Sequence, residues 1–214
     1  MTITWYGHSC FKINNQGGHI TIITDPFDKK IGLTPPRGNA DIVTISHDHF
    51  DHNNIKAISG DFFVVKGPGE YEIKGIRIMG ISSYHDKKEG QERGLNTIYV
   101  IKVDGIKICH LGDMGQEKLT NKQLESIGSV DVLMIPVDGV STMNAREAVK
   151  VVKQIDPSVV IPMHYKLPGL TVKFNDVKDF LKEIGLNGQQ AVDKLILKKK
   201  DLIGKEMEVV IFKY

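Results

Sequence analysis

Four side chains of metal-ligand type fall within six residues of this 214-residue chain: His47-Asp48-His49-Phe50-Asp51-His52 reads His-x-His-x-Asp-His. In an extended stretch, residues two apart point the same way, so His47 and His49 can face one point together. Asp51 and His52 follow as the chain begins to turn, and can face a second point a few ångströms away. Neutral imidazole with carboxylate suits zinc, and also iron or manganese. A loop selected only for solubility would more cheaply use Lys, Glu or Ser. Four ligands do not close two metal positions, so others must come from elsewhere in the chain.

The elements that could deliver them are visible as apolar runs. Ile42-Val43-Thr44-Ile45 is a strand leading straight into the motif. Run 20–24 ends at Asp25, run 76–81 leads to His85, run 106–109 leads through His110 to Asp113, and run 159–161 leads to His164. Ligands in α/β sheets gather beyond the carboxyl ends of strands. If these strands share a rim, five separate stretches converge on one cleft. His85 and His110 compete for the third place beside His47 and His49. His85 opens a polar loop, as a ligand should, whereas His110 reads as a packed strand histidine. His8, after Gly7, can line the cleft or cap a turn.

Strands dominate the first half: residues 2–6, 10–14, 19–24, 41–45, 62–65, 70–73 and 76–81, then a hairpin, 97–103 with 106–111, through Asp104-Gly105. Residues 26–40, with Pro35-Pro36, form a long loop that could act as a lid. Asn53 or Asn54 could cap a short helix through residue 59. Beyond residue 113, helices at 119–127, 144–155 and 177–184 alternate with strands at 130–136 and 159–161, and strands near 193–198 and 207–212 close the chain. This order predicts a layered α/β fold with helices outside, in one domain spanning 1–214.

Apolar residues make up 41% and charged residues 25%, a globular mix. The net charge of +2 argues against a nucleic-acid or anionic-membrane partner. Neither a leader nor an apolar run of about 18 residues is present. Cys10 and Cys109 form no Cys-x-x-Cys pair, which excludes a thiolate zinc site and fits a reducing cytoplasm.

The set Asp25, His47-x-His49-x-Asp51-His52, His85, Asp113 and His164 resembles the metallo-β-lactamase superfamily. Gly7-His8-Ser9, Thr24-Asp25-Pro26 and Leu111-Gly112-Asp113 resemble its small zinc-dependent hydrolase branch, which includes ascorbate-6-phosphate lactonase-like and phospholipase-D-like phosphodiesterase members. The resemblance implies an αββα four-layer sandwich with two metals at one edge. It implies one metal on His47, His49 and His85, a second on Asp51, His52 and His164, and Asp113 bridging them. Asp25 would fix a ligand imidazole by hydrogen bond. His8 is not among the family's standard ligands.

The implied function is hydrolysis of an ester, lactone, amide or phosphodiester of a small molecule, using hydroxide generated at a pair of divalent cations. Zn²⁺ is the first choice, with Mn²⁺ or Fe²⁺ as alternatives. Asp51, His8 or water could protonate the leaving group. A carboxylate in place of His49 would resemble the oxygen-reducing di-iron relatives, so its absence favours hydrolysis. Two other readings are a metal-binding domain without turnover and an RNA-processing nuclease. The sequence has neither a basic stripe nor the large insertion of the RNA-cleaving relatives. Oligomeric state is not encoded in any motif.

Overall fold

Alternating Ile and Val in the strands bury one face of each of two sheets against the other. The computed structural model describes residues 1–186 and 188–214. The first-half strands are β1 (Thr2–Gly7), β2 (Cys10–Asn14), β3 (Thr21–Thr24), β4 (Ile42–Ile45) and β5 (Phe63–Lys66). They continue with β6 (Gly69–Ile73), β7 (Ile76–Tyr84), β8 (Leu95–Val103) and β9 (Ile106–His110). Then follow α1 (Asn121–Ile127), β10 (Val132–Pro136), α2 (Ala145–Ile155), β11 (Val159–Met163) and α3 (Val177–Glu183). Four two-residue strands end the chain: β12 (Ala191–Val192), β13 (Leu195–Ile196), β14 (Glu208–Val209) and β15 (Ile211–Phe212).

The first sheet has the order β13-β1-β2-β3-β4-β5 and the second β14-β11-β10-β9-β8-β7-β6, while β12 pairs with β15. The two large sheets and mixed α/β class are those of the expected sandwich. Among the described residues no α-helix precedes residue 121. The segment expected to be a capped helix through residue 59 is only a 3-10 turn, Ile55–Ala57, and Asn54 makes no cap bond. Its amide instead donates to the Phe27 carbonyl at 3.0 Å, holding the preceding loop.

The later helices start where their side chains demand. Thr120 with Gln123 and Asn144 with Glu147 form reciprocal capping boxes, each satisfying two amides left free at a helix start. Pro162 sits inside β11 without breaking the sheet. Its neighbour Val160 turns toward the β14 side, where its carbonyl accepts from Val210, so Pro162 faces that side too. The ladder with β14 stops at Val160, so no partner waits for the missing amide.

Strand direction decides where the chemistry can sit. β1 is antiparallel to β2 and β2 to β3, while β3 and β4 are parallel, so β1, β3 and β4 end at one rim. In the other sheet β7 and β9 both run against β8, and β9, β10 and β11 are parallel, so these four end together. Tyr99 of β8 ties the sheets: its hydroxyl donates to the Ile45 carbonyl at 2.8 Å and accepts from the Gly67 amide at 2.9 Å. The loop read as a possible lid is pinned. Phe27, Ile31, Leu33 and Ala40 are buried, and the Ile31 carbonyl accepts from the Thr171 amide.

Candidate metal centre

Seven strands end within three residues of a cluster of imidazoles and carboxylates. β1 gives His8, β3 gives Asp25, β4 gives Ser46 and the six-residue motif, and β7 gives His85. β9 gives Asp113, β10 gives Asp138 and β11 gives His164. His8, Asp25, His52 and His164 are at most 1% exposed, whereas Asp51 keeps 18% of its side chain open to solvent.

Asp113 Oδ2 stands at the middle. It lies 3.1 Å from His164 Nε2, 3.2 Å from His52 Nε2, 3.3 Å from His85 Nε2 and 4.0 Å from His47 Nε2. Its place is fixed from behind. The Asp113 amide donates to Asn96 Oδ1 at 3.0 Å, and Asn96 Nδ2 donates to the Leu111 carbonyl and to Ser83. Gly112, at φ +57°, has no room for a side chain: a Cβ would lie 2.4 Å from Asn96 Oδ1 and 2.5 Å from the Ser46 Cβ.

The ligand-type atoms fall into three groups, one of which, Asp25 with His47 and His52, draws its imidazoles from the other two. Of those two, His47, His49 and His85 form one, and His8, Asp51, His52 and His164 the other; in each, all the atoms lie within 4.8 Å of one another. His110 joins none of them. Its Nε2 contacts the Ser9 carbonyl at 2.9 Å, and its Nδ1 accepts from the Gly112 amide at 3.2 Å, so both nitrogens are used inside the protein.

Buried carboxylates set the proton positions on the imidazoles. Asp25 Oδ2 accepts from the Ser46 hydroxyl at 2.5 Å and from His52 Nδ1 at 3.0 Å, and Oδ1 accepts from the Ser46 amide at 2.8 Å. Having given its proton to Asp25, the Ser46 hydroxyl accepts from His47 Nδ1 at 2.9 Å. His47 and His52 therefore carry a proton on Nδ1 and turn Nε2 toward the cluster. Asp138 does the same for His164, whose Nδ1 lies 2.6 Å from its Oδ2. Such carboxylate–imidazole pairs orient metal ligands and raise their basicity.

Asp138 was not singled out from the sequence. The same signal that pointed to Asp25 and Asp113, an aspartate just past a buried strand, also marks it. Asp138 further accepts from the backbone amides of Val140 and Ser141 and from the Thr142 hydroxyl at 2.7 Å. Asp138→Ala is expected to weaken metal binding at the His164 group by about 10–100-fold, leaving the His47 group near its wild-type affinity. Titration with a competing chelator reads both constants.

The residues fit a pair of cations by geometry and by charge. Zn–N and Zn–O bonds of about 2.0–2.2 Å imply tetrahedral edges of roughly 3.3–3.6 Å. In the second group His8 Nε2 to Asp51 Oδ2 is 3.3 Å, and His52 Nε2 to Asp51 Oδ2 is 3.8 Å. Although His164 Nε2 is near Asp113, it makes no aligned hydrogen bond. Without a cation, protons must balance the buried carboxylates. Burial opposes a charge on His164, but Asp113 and Asp138 outweigh it and lift its pKa to about 9. Burial likewise disfavours a charge on His52, and Asp113 and Asp25 again win, holding it well above the usual imidazole range. His47 is pushed the other way, by burial and then by His52, so it stays neutral.

Around the cluster, Phe174 packs on His164 at 4.4 Å between ring centres, while Phe50 is 51% exposed. A cleft of about 260 Å³ opens beside His85, lined by Asp86, Lys87, Arg93, Val140 and Thr142 among others. The polar loop after His85 is wound around the Asp86 carboxylate, which accepts from the amides of Lys88, Gly90, Glu92 and Arg93. Larger grooves lie against β6, β7 and α1, away from the histidines.

A family model for the beta-lactamase superfamily domain matches residues 2–164. The chain belongs to the metallo-β-lactamase superfamily. The UPF0173 metal-dependent hydrolase of Thermococcus onnurineus is 28% identical, with 94% of this chain and 98% of that one aligned. The corresponding Thermococcus kodakarensis protein is 30% identical over 76% of this chain and 84% of its own length. A solved Thermotoga maritima structure, assigned to the Zn-dependent hydrolases of the metallo-β-lactamase superfamily, has a TM-score of 0.80. It is 39% identical and covers 99% of this chain and 97% of its own. In this superfamily member no described helix is long and apolar enough to cross a membrane.

Proposed function

We propose that this metal-dependent hydrolase works with two divalent cations, most simply zinc, on an ester, lactone, amide or phosphodiester of a small molecule. The convergence of four imidazole nitrogens on Asp113 Oδ2 carries the reading. His47, His49 and His85 would hold one cation, Asp51, His52 and His164 the other, and Asp113 would serve both. His110 is spent on Ser9 and Gly112, which leaves His85 as the third imidazole of the first group. Cations held there supply Lewis acidity and a water whose pKa falls toward about 7.

The chain's own residues do the positioning. Asp25, through Ser46, and Asp138 keep three ligand imidazoles in one tautomer, so each presents a lone pair. Phe174 screens the His164 side from bulk water. Asp51, the most exposed carboxylate of the cluster, is ionised and would relay to the leaving group the proton lost by the attacking water, or solvent would supply one. The cleft beside His85 is small beside the ~300–1,000 Å³ of typical ligand sites, which suits a compact substrate. Two buried free thiols suit a reducing, cytoplasmic setting.

Assay of metal-loaded protein against phosphodiester, lactone and thioester panels tests the activity, with metal content measured in parallel. Two cations bound and no turnover on any panel would turn the reading toward a binding domain. Stripping the metal is expected to lower the melting temperature by on the order of 5–10 °C, since a ligand at a hundredfold excess over its Kd stabilises by about 2.7 kcal/mol. Calorimetry before and after chelation, with zinc re-addition, checks this.

A further inference from the structure

We propose that His8 is a further protein ligand of the second cation, beside Asp51, His52, His164 and the shared Asp113, so that the chain itself fills that position and the open one falls to the His47, His49 and His85 side. This rests on the two-cation reading above. His8 lies outside the His-x-His-x-Asp-His segment and forty residues before it, so spacing alone does not recruit it. The geometry does. His8 Nε2 lies 3.1 Å from His52 Nε2 and 3.3 Å from Asp51 Oδ2, and belongs with His164 to the same group of converging atoms. These separations fall between the right-angle edge of roughly 3.0 Å in a five-coordinate site and the roughly 3.3–3.6 Å edge of a tetrahedral one.

The alternative role is a hydrogen-bond partner of Asp51. A charge-assisted N–H···O bond prefers about 2.7–2.9 Å, and the contact here is 3.3 Å. His52 Nε2 is closer still, at 3.1 Å. His52 gives its Nδ1 proton to Asp25, so once a cation replaces the proton on Nε2 that nitrogen offers it a lone pair. A single imidazole nitrogen aimed between a lone pair and a carboxylate oxygen is placed as a ligand is placed.

The chain also goes to some length to hold this ring. Residues Gly7 and His8 are both left-handed, at φ +97° and +56°. A non-glycine residue in that region stores strain and persists only where its surroundings over-determine it. Here the His8 carbonyl accepts from the Trp5 indole at 3.1 Å and from the His164 amide at 3.1 Å. The ring packs against His164, at 4.1 Å, with Phe174 nearly parallel to it at 5.9 Å. It is fully buried, and among the described residues its Nδ1 has no hydrogen-bond partner, so the contacts of Nε2 alone place the ring.

The consequence is asymmetry. With His8, Asp51, His52 and His164 in place and Asp113 adjacent, the second cation has little room for water. The three-imidazole group keeps space for one, as catalytic sites do. Substrate should therefore be activated from the side of the His85 cleft.

The test uses full-length protein loaded with cobalt(II), and the variants His8→Ala and His8→Gln, the latter preserving volume. The expected result is a changed visible absorption spectrum and a weakening of the second cobalt equivalent by more than about 100-fold, beyond what loss of an outer partner produces, with the first equivalent unaltered. Circular dichroism and calorimetry confirm folding; if His8→Ala is unfolded, the reading comes from His8→Gln. Two equivalents bound by both folded variants with wild-type affinity and spectrum would overturn the proposal while leaving the two-cation reading intact. Wild-type protein that takes up fewer than two equivalents would overturn both.

Discussion

Asp113→Ala is expected to reduce kcat/KM by at least about 1,000-fold and to lower metal content, while the chain stays folded. The carboxylate meets His52, His85 and His164 at 3.1–3.3 Å from a single oxygen. A metal Lewis acid contributes several kcal/mol to transition-state stabilisation, and each 1.36 kcal/mol is about a factor of ten. On the proposed reading Asp113 serves both cations, and its loss should forfeit most of that. The fold has little to lose, because the Asp113 backbone amide keeps its bond to Asn96 whatever the side chain. Asp113→Asn, which keeps the shape and removes the charge, should behave nearly as badly. Elemental analysis together with steady-state kinetics decides the matter. Full metal occupancy and undiminished turnover in both variants would remove Asp113 from the centre.

Asp25→Ala is expected to damage both metal positions at once, by at least about 10–100-fold in affinity at each, and to destabilise the metal-free protein. Asp25 touches no substrate. It is fully buried, sits at the strained φ of +39°, and accepts from the Ser46 amide, the Ser46 hydroxyl and His52 Nδ1. Its removal frees the tautomer of His52 directly and that of His47 through Ser46. It also leaves buried donors without an acceptor, at about 1–3 kcal/mol each. A useful contrast is Ser46→Ala, which should disturb only the His47 side. Chelator-competition titrations of the two variants separate the effects. If Asp25→Ala lost affinity at one position only, the relay through Ser46 would be wrong.

Much of this centre could be read from residue types. The six-residue motif names its own chemistry, and apolar strands ending in Asp25, His85, Asp113 and His164 pointed to a shared rim. The strand directions bring those ends together. What escaped the sequence reading was the support. Asp138 hides in a dipeptide that looks like any turn, and its partner is 26 residues away. Ser46 is an unremarkable residue whose role appears only once Asp25 lies behind it. His8 was left balanced between cleft and turn; it sits in the β1–β2 bend, and its ring enters the cluster rather than capping that bend. The loop 26–40 has the composition of a lid, yet Phe27, Ile31 and Leu33 are apolar enough to anchor it.

The division of labour between the two sheets has a bearing on how the protein matures. Asp25 and the six-residue motif come from one sheet, and His85, Asp113, Asp138 and His164 from the other, so the centre exists only when the sandwich has closed. Pairings between distant segments make such chains slow to fold. During that interval His47 and His49, already adjacent along the chain, can seize an ion before their partners arrive. Ions bound by unfolded protein erode the stabilisation they give the native state. On the two-cation proposal, metal supplied after the sandwich has closed is expected to fill the cluster correctly, and metal present during refolding to lower the yield of correctly loaded protein.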